Sequence, residues 1–97
     1  MSRILVLGGA GEMGSAAVAD LVARTDHEVV VGDVRPGPAQ ILLRRLGAPE
    51  HVVAVDVDDA GSLARAVEGA DVVLNATYMR HNVPVADAAI AAGVHLG

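Results

Sequence analysis

A chain of 97 residues with 53% hydrophobic content and a single aromatic residue, Tyr78, holds one domain at most, with a core of Val, Leu, Ile and Ala. That composition suits strands buried on both faces beneath helices. The absence of cysteine excludes disulfides and thiolate metal sites and makes a cytoplasmic location the expectation, and a net charge of −5 argues against a phosphate-neutralising nucleic-acid surface.

Strand and helix patterns alternate along the chain. Ile4 to Leu7 is a short apolar run closed by Gly8 and Gly9, as a buried parallel strand should be, and is far too short for a signal or membrane segment. Gly14, Ala17, Val18, Leu21 and Val22 then recur at helical spacing on one face, with Asp20 and Arg24 on the other. Val29 to Val31 is a second strand ended by Gly32-Asp33. After the Pro36-Gly37-Pro38 turn, Ala39, Leu42, Leu43 and Leu46 mark a second helix stopped by Gly47. Val52 to Val55 reads as a third strand. A short helix follows, capped by Asp58 or Asp59, with Leu63, Ala66 and Val67 inward and Gly69 beyond its end. Asp71 to Asn75 is a fourth strand. Asn82 can cap a last helix that tolerates Pro84 in its first turn and ends at Gly93, and Val94 to Leu96 begins a fifth strand.

This alternation requires a parallel sheet with helices on both faces, a three-layer αβα Rossmann fold in the order 3-2-1-4-5. Residues 1–97 then form an incomplete domain: four complete strands, and a fifth that is truncated and frayed or unpaired.

Gly9-Ala10-Gly11-Glu12-Met13-Gly14 is a G-x-G-x-x-G, weak evidence alone but meaningful between a strand and the helix it opens. Gly9 permits the tight turn, Gly11 lets backbone amides approach a pyrophosphate, and Gly14 removes a Cβ where helix and strand pack. Gly8 adds a fourth glycine, so the run also fits G-x-x-G-x-x-G. Glu12 suits the helix dipole but repels a pyrophosphate, so it is expected to face solvent. Asp33 lies about where an acid takes both ribose hydroxyls of NAD, with Val34 beside it. Arg35 could meet a 2′-phosphate instead, which keeps NADP as the alternative. Asp33 could also merely cap a turn. Asp56-Val57 can present a carboxylate and an amide to adenine, or only start the next helix. Asn75-Ala76-Thr77 ends the fourth strand beside the first, where small polar residues can line the nicotinamide-side ribose and phosphates. His27, His51, His81 and His95 have no ligand spacing, so no metal site is expected, and no catalytic acid, base or nucleophile stands out.

With these residues placed, the chain resembles the N-terminal part of the saccharopine dehydrogenase-like family, which includes lysine 6-dehydrogenases. One anchor is Val6-Leu7-Gly8-Gly9-Ala10-Gly11-Glu12-Met13-Gly14. The stronger one runs from Ala70-Asp71-Val72-Val73-Leu74-Asn75-Ala76-Thr77-Tyr78 through Asn82-Val83-Pro84-Val85-Ala86 to Ala92-Gly93-Val94-His95. The resemblance implies an NAD(P)-dependent oxidoreductase acting on the C–N bond of an amino acid such as lysine or saccharopine. It also implies a second domain, later in the chain, supplying the surface of a homodimer and most substrate contacts. The chain by itself is then a cofactor-binding piece without catalysis, with the dinucleotide as its partner and neither nucleic acid nor membrane expected. A stand-alone NAD(P)-sensing module is the alternative.

Overall fold

Side-chain parity along the strands decides which helix covers which face of the sheet. The computed structural model describes residues 2–8, 11–76, 85, 88 and 90–96. In chain order these form β1 (Arg3–Leu7), α1 (Glu12–Arg24), β2 (Glu28–Asp33), α2 (Pro36–Arg45), β3 (Val52–Ala54), α3 (Ala60–Val67), β4 (Val72–Asn75) and β5 (His95–Leu96). The strands make one sheet in the order β3-β2-β1-β4-β5, and every pairing is parallel. Even-numbered residues of β1, Ile4 and Val6, face one side with Val29 and Val31 of β2, where Val18 of α1 and Ala39 and Leu43 of α2 cover them. Leu5 and Leu7 face the other side with Val30 and Val73, under Leu63 and Val67 of α3 and Val85. The period-2 alternation of a strand thus splits one apolar run into two cores. Each fully buried Leu or Val there contributes about 1.5–3 kcal/mol.

The helix faces match their sequence pattern. Val18 is fully buried on α1, while Asp20 and Arg24 pair at 2.7 Å on its outer side. Asp59 caps α3, its Oδ1 accepting from the backbone N–H groups of Gly61 and Ser62 at 2.9 and 3.1 Å. Gly47, Gly69 and Gly93, each read as a stop, all take positive φ. Val85, Ala88 and residues 90–92 are helical; the expected cap Asn82 and Pro84 lie outside the described residues. Two expectations are corrected. Pro36-Gly37-Pro38, expected as a turn ahead of the second helix, forms the first turn of α2 itself, because proline's fixed φ suits a helix start. The fifth strand is neither frayed nor unpaired: His95 and Leu96 stand in parallel register with Val72 and Val73. Two residues suffice because β4 already presents an ordered edge.

The amino-terminal edge of the sheet is fastened by polar groups that no local pattern links. The Arg3 N–H donates to Asp71 Oδ2 at 2.7 Å, and the Asp71 N–H donates back to the Arg3 carbonyl at 2.8 Å. The Arg3 guanidinium then donates to Glu28 Oε1 at 2.9 Å, and His51 Nδ1 lies 3.0 Å from the same oxygen. Asp71, Arg3, Glu28 and His51 therefore form a string across β4, β1, β2 and the start of β3. The hydrogen bond from Arg3, helped by its charge and by His51, holds the Glu28 carboxyl below its ordinary range against a smaller opposing effect of partial burial. A carboxyl depressed in the folded state stabilises the fold above its unfolded pKa, and that contribution is lost as pH falls through the folded value. Glu28→Gln is therefore expected to lower the melting temperature at pH 7. The gap to the wild type should close on acidification from about pH 5 to about pH 3. A gap that stays constant over that range would mean that the ion pair contributes nothing.

Candidate functional site

The opposite, carboxyl-terminal edge is where the sequence-derived candidates collect. Register places Val53, Gly32, Leu7 and Asn75 in one row across the sheet. The row beyond is tied by backbone bonds: Gly8 N–H to the Gly32 carbonyl at 2.7 Å, Ala76 N–H to the Leu7 carbonyl at 2.9 Å, and Val55 N–H to the Asp33 carbonyl at 3.0 Å. Three loop starts, Gly8, Asp33 and Ala76, are thereby held side by side. β1 sits between β2 and β4, which makes its end the point where the chain's winding reverses, and open α/β sheets bind ligands in the crevice at that point.

Gly8 takes φ +75, a left-handed conformation that disfavours any Cβ, so the chain turns out of β1 here. Sequence reasoning gave the tight turn to Gly9; Gly9 and Ala10 lie outside the described residues. Gly11 is the N-cap of α1 at φ −73, so its requirement is one of space: a Cβ there would stand 3.3 Å from the Gly8 carbonyl oxygen. That same carbonyl accepts the Gly11 N–H at 3.0 Å. The Gly11 amide is thus spent on the loop itself. The helix-start donors without intrahelical partners belong to Glu12, Met13 and Gly14, whose place in the first turn of α1 aims them past its end. Gly14 is buried, while the side chains of Glu12 and Met13 lie outside the described part.

Asp33 closes β2, half-buried, and its Oδ1 accepts the Arg35 N–H at 3.3 Å. The turn-capping bond and the position suited to a ribose therefore coexist in one side chain. Val34 beside it is 67% exposed, an apolar surface at the strand end, and Arg35 is the N-cap of α2. A residue that sequence reasoning treated only as a strand end, Gly32, is what allows this arrangement. A Cβ on it would come within 3.0 Å of Leu7 Cδ2, 3.2 Å of Val55 Cγ2 and 3.3 Å of Leu5 Cδ1. The available signal was a glycine interrupting a valine run, which marks close approach of neighbours.

The third loop is tied to α3. Asp56 Oδ1 accepts the Asp58 N–H at 3.0 Å, the Asp56 N–H donates to Ser62 Oγ at 3.1 Å, and Val57 packs partly against the core. Asp56 thus shapes its own turn, and Val57 is less open to a ligand than Val34. Asn75 ends β4 and Ala76 follows it against β1; Thr77 lies outside the described residues. Two hollows, of about 470 and 410 Å³, are both walled by Glu28 and His51 and so lie at the amino edge.

The arrangement offers anion-receiving amides at the start of α1, a carboxylate one strand away, and a polar strand end on the other side. These fit a dinucleotide: the space kept clear at Gly11 and the donors just beyond it suit a pyrophosphate, and Asp33 suits ribose hydroxyls. The family model described as the saccharopine dehydrogenase NADP binding domain matches residues 4–96. Among solved structures, saccharopine dehydrogenase (L-Glu forming) from Saccharomyces cerevisiae is 24% identical with a TM-score of 0.87, over 99% of this chain and 21% of that one. Triphenylmethane reductase from Citrobacter sp. is 22% identical with a TM-score of 0.81, over 97% of this chain and 35% of that one. These two likenesses establish the shared fold. A short-chain dehydrogenase/reductase superfamily protein from Agrobacterium tumefaciens, solved with bound NAD, is 29% identical with a TM-score of 0.71, over 95% of this chain and 30% of that one. The chain thus spans between about a fifth and about a third of the length of these proteins.

Gly11→Val is expected to push on the Gly8 carbonyl and set a branched side chain where the pyrophosphate would approach. Titration of dinucleotide into both proteins should show binding abolished in the variant, with circular dichroism close to wild type because the loop is at the surface. Equal affinities would mean that the phosphates sit elsewhere.

Proposed function

Because the chain belongs to the saccharopine dehydrogenase NADP-binding domain family, we propose that this dinucleotide-binding domain holds NAD(H) in preference to NADP(H). We propose further that it serves an oxidoreductase acting on the C–N bond of an amino acid such as lysine or saccharopine. One juxtaposition carries the cofactor reading: the start of α1 and the Asp33 carboxylate stand at the ends of adjacent, register-matched strands on the same edge of the sheet. The amides of Glu12, Met13 and Gly14 would take the pyrophosphate, Asp33 the adenosine ribose, and Val34 would lie along the adenine with the Asp56-Val57 loop nearby. Asn75, Ala76 and Thr77 would border the half of the cofactor that carries nicotinamide. When bound, that ring supplies or accepts hydride; this chain's own residues bind, orient and discriminate. Substrate contacts and the groups that move protons would come from a further domain of the protein, which would also form the homodimer surface.

Selectivity follows from charge. Two hydrogen bonds from ribose hydroxyls to a carboxylate are worth about 1.5–3 kcal/mol each at best. A 2′-phosphate removes one of them and sets two anions side by side. NADH should therefore bind the wild type at least about tenfold more tightly than NADPH, a difference of about 1.4 kcal/mol. Asp33→Ser is expected to narrow or reverse that ratio, with Arg35 free to take the phosphate. Dissociation constants for both cofactors on both proteins decide it. A wild type that prefers NADPH, or a mutant with an unchanged ratio, would move the selector from Asp33 to Arg35.

No acid, base or nucleophile is assigned within this chain. The purified 97-residue chain is accordingly expected to bind dinucleotide weakly and to produce no NADH from lysine or saccharopine. Steady NADH absorbance growth on adding either amino acid would refute that division of labour.

A further inference from the structure

The start of α2 bears on cofactor choice independently of Asp33, on the premise that the cofactor lies as proposed above. A helix begins with four N–H groups that have no carbonyl partner within it, and together with the helix dipole they receive phosphate well. In α2 the four positions are the N-cap Arg35 and then Pro36, Gly37 and Pro38. Proline has no N–H, so two of the four donors do not exist. A third, the N–H of Arg35, is directed to Asp33 Oδ1 at 3.3 Å. Gly37 alone keeps an N–H that no hydrogen bond among the described residues uses. A Cβ built on Gly37 meets nothing within 4 Å, so the space beside this residue is open. An incoming phosphate would find room there and too few donors. The exposed Arg35 guanidinium, absent from the salt bridges among the described residues, is the one cation on this turn.

We propose that Pro36 and Pro38 are specificity-determining residues: by deleting the first and third amides of α2, they deny the 2′-phosphate of NADP(H) a helix-end site beside the ribose. Preference for NAD(H) then rests on missing donors as well as on the Asp33 carboxylate. The two devices act differently. Asp33 rewards the hydroxyl and repels the phosphate, whereas the prolines leave hydroxyl binding untouched and withhold what a phosphate needs. Proline at the first helical position also suits the fixed φ of a helix start, so the fold accepts the loss of a donor there without strain.

The test is a set of dissociation constants for NADH and NADPH on the wild-type chain, Pro36→Ala, Pro38→Ala and the double variant, with circular dichroism confirming that each is folded. NADPH should bind the double variant about tenfold more tightly than the wild type, through restored amide-to-phosphate bonds. NADH affinity should change by less than about twofold. The single variants, each restoring one amide, should fall between, and they keep the test informative if the double variant does not fold. Adenosine 2′,5′-bisphosphate against 5′-AMP repeats the comparison without the nicotinamide half. An NADPH-to-NADH ratio unchanged in variants that bind NADH overturns the role of the prolines and leaves the Asp33 reading standing. Equal tightening of both cofactors overturns it too, as a general loosening of the turn. If the wild type binds neither cofactor, the cofactor reading fails and the inference fails with it.

Discussion

β1 is the central strand, bonded along both edges and covered on both faces, and the placement of the elements around it refers to it. Its even side chains take α1 and α2, its odd side chains take α3 and Val85, and its backbone registers β2 on one side and β4 on the other. Because Leu7 stands opposite both Gly32 and Asn75, the end of β1 also aligns the ends of its neighbours. The glycine turn, the acidic strand end and the polar end of β4 are therefore consequences of one strand's register. Gly32 is the condition for that register, since a side chain there would press on Leu7, Leu5 and Val55 together.

The two ends of the sheet are built from different materials. At the amino edge, charged and imidazole side chains reach from strand to strand, partly exposed, so each ion pair contributes modestly. At the carboxyl edge the ties between strands are backbone hydrogen bonds, while the Asp33 and Asp56 carboxylates accept N–H groups of their own loops. The side-chain ties between strands and the candidate site thus lie a strand's length apart, so substitutions at one end need not disturb the other.

Much of this was legible because parity and helical spacing are local. Four apolar residues after Arg3, valines before Gly32, the spacing of Ala39 and Leu43, and Asp59 ahead of Leu63 each declare an element from its own chemistry. Asp33 declared its strand-end position in the same way. What sequence reasoning missed is mostly non-local or a matter of a single torsion. No pattern joins Asp71 to Arg3 across the intervening chain, and nothing in a string of glycines says that the left-handed turn is at Gly8, or that the Gly11 amide turns back onto it. The pairing of β5 depended on an edge offered by β4, which lies far from it in sequence. The prolines of α2 were read as a turn, whereas the structure puts Pro36 in the first position of a helix.

Strand order also has a consequence for synthesis on the ribosome. β2, one partner of β1, follows it directly in the chain, whereas β4, its other partner, is made much later. The glycine turn and Asp33 can thus be brought together in a nascent chain that has reached the end of β2. The crevice between β1 and β4, by contrast, does not exist until Asn75 has emerged and the chain has crossed to the far side of β1. Long-range parallel pairing of this kind is slow and leaves apolar strand edges bare while it waits. In that interval the odd-numbered face of β1, Leu5 and Leu7, has no helix over it. A newly made chain should be most prone to stick to others, or to need a chaperone's cover, during the span of translation between β2 and β4.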